Sequence, residues 1–137
     1  MRLWLSEGRW KVREVVITAG DVVVWGYLND SETATKIWEA LPLQAEANLW
    51  GSEIYFEIPI VAPQAVDARA EVDVGSVAYW PVGHSLCIFF GPTPASVDGR
   101  PRAYSPVNVV GQLTGDVQAL RRVRKGDAVR VARARPT

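Results

Sequence analysis

Apolar and polar positions along this chain alternate between two periods. Residues 12–18 (VREVVIT) and 21–28 (DVVVWGYL) are β-branched runs joined at Ala19-Gly20-Asp21, which predicts a hairpin of two strands. The period then changes. Ala34, Ile37, Trp38 and Leu41 recur at i, i+3, i+4 and i+7, the stripe of one helix face. Asp30 or Ser31 supplies the N-cap, and Pro42 stops the helix. Period two returns over residues 53–61 (EIYFEIPIV), with Ile54, Phe56, Ile58 and Ile60 on one face and Glu53, Tyr55 and Glu57 on the other. Residues 70–74 (AEVDV) alternate again, whereas 86–90 (LCIFF) are apolar throughout, as in a strand buried on both sides. Pro92, Pro94, Pro101 and Pro106 with Gly99 make 91–106 a long ordered loop, and loops of that length in compact domains tend to carry function. Residues 107–113 (VNVVGQL) form a further strand. A short helix follows from the acidic cap Asp116, with Val117, Leu120 and Val123 on one face, and Gly126-Asp127 turns the chain into a last strand, AVRVARA. Seven or eight short strands with two helices between them predict a mainly β fold, a closed antiparallel barrel with its ends covered by the helices.

Composition narrows the class. Of 137 residues, 48% are apolar and 22% charged, which excludes disorder, and a single cysteine excludes a disulfide framework. A chain this long buries roughly 70% of its unfolded surface and needs no staples, so one domain over 1–137 is expected. No apolar run approaches the ~20 residues of a membrane helix, and the start, MRLWLSEGRW, lacks the pattern of a secretory signal. A cytoplasmic protein with no membrane contact is the expectation.

Net charge is zero but unevenly placed. Residues 1–120 hold 8 basic and 14 acidic side chains, and the last 17 hold seven basic ones (Arg121, Arg122, Arg124, Lys125, Arg130, Arg133, Arg135) against Asp127. Cations where a helix should end oppose the partial negative charge of its C-terminus, so we expect solvated or internally paired charge there and no nucleic-acid partner.

The segments LNDSETATKIWEALP, EANLWGSEIYFEIP, VGSVAYWPVGHSLCIFFGPTPAS, SPVNVVGQLTGD and LRRVRKGDAVRV resemble the small prokaryotic cyclophilin-like domain family, from about Val12 to Val131. The resemblance implies a closed eight-stranded antiparallel barrel with a helix at either end, and leaves residues 1–11, with Trp4 and Trp10, as an N-terminal extension. It also bears on activity. Prolyl isomerases of that fold carry an arginine on a barrel strand whose guanidinium stabilises the twisted amide. The comparable strand here, EIYFEIP, carries Glu57 and no arginine, and a carboxylate cannot donate that hydrogen bond. An isomerase would need an arginine from elsewhere, such as Arg100 or Arg102.

Other chemistry is sparsely represented. His84 and Cys87 are the chain's only imidazole and thiol, and three residues apart on extended chain they point to opposite faces, which argues against a nucleophile pair. Cys87 is expected as a small buried hydrophobe and His84 in a loop. One His and one Cys fall short of a zinc site; no metal or cofactor is expected, and GxGxxG, GxxxxGK[ST] and GxSxG are all absent. Glu53 and Glu57 flank Tyr55 on what reads as a solvated strand face, with Glu57 the better placed for a barrel mouth.

What remains is aromatic. Trp50, Tyr55, Tyr79, Trp80, Phe89, Phe90 and Tyr104 lie in or beside the family segments. Polar side chains suited to orienting a ligand are close by, among them His84, Ser105 and Asn108. We expect a peptide or small organic ligand in an aromatic-lined groove built from Trp50, Tyr55, Tyr79, Trp80, His84, Phe90 and Asn108, with Glu57 as polar anchor. The alternatives are an isomerase or other enzyme with a non-standard site, and an interaction or oligomerisation domain using Trp4, Trp10 and Trp25.

Overall fold

The computed structural model describes residues 12–134. The proposed extension, Trp4, Trp10 and Arg135 lie outside the described residues. The predicted hairpin is present as β1 (Arg13–Ala19) and β2 (Val22–Leu28), paired in register from Arg13↔Leu28 to Ala19↔Val22. Helix α1 (Glu32–Ala40) starts at Ser31, whose hydroxyl accepts from the Ala34 amide at 3.2 Å, and ends before Pro42. It sinks Ala34 and Ile37 into the core.

Beyond it run β3 (Leu43–Glu46), β4 (Asn48–Leu49), β5 (Glu53–Glu57), β6 (Arg69–Glu71), β7 (Ser76–Trp80), β8 (Ser85–Phe89), β9 (Arg102–Thr114) and β10 (Ala128–Arg133). The second predicted helix is a 3₁₀ helix over Val117–Arg122, capped by the Asp116 carboxylate on the Gln118 amide. Inner-facing residues of the strands, among them Ile17, Phe56, Ile88 and Val110, form the main core together with Ile37 and Leu120.

The expected eight-stranded closed barrel is corrected in two respects. Among the described residues there are ten strands in one antiparallel sheet, ordered β3-β10-β1-β2-β9-β7-β8-β5-β4 with β6 paired to β9 off that path. Nor do the hydrogen-bonded ladders close into a ring. The two ends of the path, β3 and β4, belong to one stretch of chain separated only by Ala47. Its first half pairs with β10 and its second with β5, so the stretch supplies both edge strands, each with one ladder neighbour. The loop predicted over 91–106 is also shorter. β9 begins at Arg102, and Pro106 is accommodated where the β6–β9 register shifts between Arg69 and Glu71.

Two of the basic side chains towards the C-terminus, Arg121 and Arg133, find internal partners. The Arg133 guanidinium lies 4.4 Å from the Trp38 ring centroid and donates to the Trp38 carbonyl at 2.9 Å, while Arg121 donates to Gln118 at 2.7 Å.

Candidate functional site

Strands β5, β7 and β8 are covered on both faces. Their inner side chains join the main core, while Ala78, Cys87 and Phe89 on the other face pack with Val72 and with Ala103 and Val107 of β9. The first half of β9, with β6, therefore forms a second layer over the sheet. A cavity of about 160 Å³ opens beside this layer. Its walls are the rings of Trp50, Tyr55, Trp80 and Tyr104, and Glu53 and Cys87 line its buried side.

Local backbone geometry places these groups. Trp50 and Glu53 exchange both backbone hydrogen bonds, at 2.9 and 3.2 Å, across the two-residue turn Gly51-Ser52. Gly51 has φ +59°, and a Cβ there would meet Thr93 and Pro94 at 2.8 Å, so the 91–101 loop rests directly on the turn. On the opposite wall, Trp80 Nε1 donates to Ser105 Oγ at 2.7 Å. Gly83 lies against the same ring so closely that a Cβ would come within 2.4 Å of two of its carbons. Tyr104 stands between the two indoles, its ring centroid 6.1 Å from each in edge-on contact. It is 76% exposed.

The electrostatics centre on Glu53, which is only 5% exposed. Burial raises its carboxyl to about 7, opposed in part by a hydrogen bond with the Cys87 side chain. Burial, and then the adjacent carboxyl, push the Cys87 thiol well above its ordinary range, so it stays protonated and unreactive. Among the described residues, the ion pairs join Arg100 to Glu71 and Asp73, and Arg102 to Glu71; none reaches Glu53. No group of three His, Cys, Asp or Glu side chains is disposed to hold a metal among the described residues. Among the described residues, no helix is long and apolar enough to cross a membrane.

Of the residues expected to form the groove, the structure brings Trp50, Tyr55 and Trp80 together. Tyr79 and Phe90 are buried in the main core, and the Tyr79 hydroxyl donates to the Ile60 carbonyl at 2.6 Å. Asn108 is buried and committed internally: it accepts from the Ala65 amide at 2.8 Å and donates to the Pro63 carbonyl at 2.9 Å and the Thr33 hydroxyl at 3.1 Å. Glu57 is exposed at the end of β5, and His84 occupies the β7–β8 turn with φ +49°. None of these five lines the aromatic cavity. Glu53 is the residue the sequence reading misplaced: its strand face is covered by the second layer and not solvated. The signal lay in LCIFF: a strand apolar on both faces implies a second layer over its sheet, and such a layer extends over the neighbouring strand β5.

The sheet order, the two helical segments and the long β9 define a cyclophilin-like domain. The chain belongs to the Cyclophilin-like family, whose pattern matches residues 13–132. It is similar to a hypothetical protein of Archaeoglobus fulgidus with a solution structure, at 34% identity and TM-score 0.78, covering 95% of this chain and 100% of that one. No curated protein matches the chain.

Proposed function

We propose that this domain is a cytoplasmic binding module that holds a small organic ligand or a peptide side chain in the cavity between its sheet and its outer layer. The observation that carries the reading is the ring of Trp50, Tyr55, Trp80 and Tyr104 mounted on strands packed on both faces. Aromatic walls with one placed polar group, held by a rigid scaffold, are the usual construction of a ligand site. Isomerase chemistry is the weaker reading. Arg100 and Arg102, which could have supplied the missing donor, are paired with Glu71 and Asp73 and do not line the cavity.

The test is NMR of the tryptophan indole signals during titration with an organic fragment set and with Xaa-Pro peptides. Binding should shift the Trp50 and Trp80 signals. Trp80→Ala should abolish it at a stability cost of about 1–3 kcal/mol, the range for a side chain that is only half-buried. Cis–trans exchange peaks on the peptides, lost in the same variant, would make the site an isomerase. Silence across both sets would remove the binding reading.

A second reading rests on β2, whose outer face exposes Val23 (43%), Trp25 (49%) and Tyr27 (40%) in an unbroken row. Such a row suits self-association. Light scattering at 10–100 µM, a range of order set by ordinary micromolar affinities, should then give a dimer mass that Trp25→Lys returns to monomer. A wild-type monomer throughout would end this reading.

A further inference from the structure

The cavity joins two features that each favour positive charge. Glu53 is 5% exposed and has no Lys, Arg or His partner among the described residues. A buried carboxylate left without a cation is costly, and a site that needs one supplies it from the ligand. Around it stand four aromatic rings, whose faces carry the negative end of the ring quadrupole. The lining includes no basic residue, so nothing in the wall competes for the carboxylate.

Inorganic cations are poorly served. Calcium needs six to eight oxygen ligands, in the general range of about 2.3–2.6 Å, and magnesium keeps its waters. One carboxyl among indoles cannot replace a hydration shell. A weakly hydrated organic cation loses little on entering and gains contacts with the aromatic wall.

We propose that the cavity binds the alkylated ammonium group of an organic compound, seated against Trp50, Tyr55, Trp80 and Tyr104 with the Glu53 carboxylate as its counter-charge. This rests on the binding reading above and specifies its ligand. Tyr104, exposed between the two tryptophans, is the ring placed to close over the bound group. The other titratable groups facing Glu53 are the Tyr55 and Tyr104 phenols from β5 and β9 and the Cys87 thiol from β8, which leaves Glu53 as the one carboxyl lining the site.

The probes are choline and 3,3-dimethylbutan-1-ol, its uncharged counterpart of the same shape, titrated against the full chain by indole NMR. Choline should bind at least about tenfold more tightly than the alcohol, the margin that a close charge pair supplies. Choline does not titrate, so any pH effect belongs to the protein. With the Glu53 carboxyl near 7 and its neutral form binding about tenfold more weakly, affinity should fall about fivefold from pH 8 to pH 6. Glu53→Gln should weaken choline about tenfold at pH 8, flatten that profile and remove most of choline's advantage over the alcohol. A trimethyllysine peptide beside choline distinguishes a side-chain cation from a free one, and tighter binding of either supports the proposal.

Equal affinity for choline and the alcohol would overturn the inference and leave the binding reading standing, since the cavity would then recognise shape alone. Unshifted indoles with both probes would overturn it as well. The fragment titration, which includes uncharged compounds, decides the broader reading separately.

Discussion

Phe89→Ala should destabilise the domain by about 3–5 kcal/mol, as much as Phe56→Ala on the opposite face of the same strand pair. Both rings are almost wholly buried, but in different places: Phe56 in the main core, Phe89 under the second layer among Val72, Ala78, Ala103 and Val107. Truncation at either site loses the transfer energy of the ring and leaves a void that a close-packed surround fills only in part. Phe89 is also the ladder partner of Glu53, so the void would open beside the carboxyl. Urea unfolding of the two variants under one set of conditions measures the comparison. A loss below about 1 kcal/mol at Phe89, with the full loss at Phe56, would mean that β6 and the first half of β9 are loosely apposed. The cavity would then lack a rigid wall.

That outer layer is also where sequence reading and structure part. Elements with a strong local signal were legible: the β-branched hairpin, α1 with its Ser31 cap and stripe, and the continuous apolar run of β8. β3 and β4 are four and two residues long, too short for an alternation to register. The start of β9 is masked by Pro101 and Pro106, which read as loop although a short ladder with an irregular register tolerates proline.

The site was half legible for a related reason. The aromatic residues of the family segments pointed to Trp50, Tyr55 and Trp80, which line the cavity, but equally to Tyr79 and Phe90, which are core. Alternation, however, assigns side chains to two faces without saying whether the second is covered. Asn108 reads equally well as a ligand contact or as a clamp. Only its three partners, on α1 and on the segment that follows β5, decide for the clamp.

Glu53→Gln should stabilise the protein by roughly 3 kcal/mol at pH 8 and by almost nothing at pH 4. The folded protein raises this carboxyl from 4.5 to about 7 because burial penalises its ionised form. A raised value means that the native state holds the proton more tightly than the unfolded chain. The contribution of Glu53 is therefore fully favourable below 4.5, is lost as pH climbs towards 7, and is gone above it. Glutamine keeps the shape and still accepts a hydrogen bond from Cys87, but has no charge to desolvate. The gap between variant and wild type should open across pH 4.5–7 and then level off, as read from urea unfolding at pH 4, 6 and 8. A gap that stays flat would mean that water reaches the carboxyl in the folded protein, and the case for charge recognition would weaken with it. A gap that opens shows the domain retaining, at a neutral pH, an ionisable group that a neutral isostere would improve upon. Stability alone gives no reason to keep such a group, whereas a cation entering the aromatic cavity does, because it compensates the carboxylate for the hydration that folding removes.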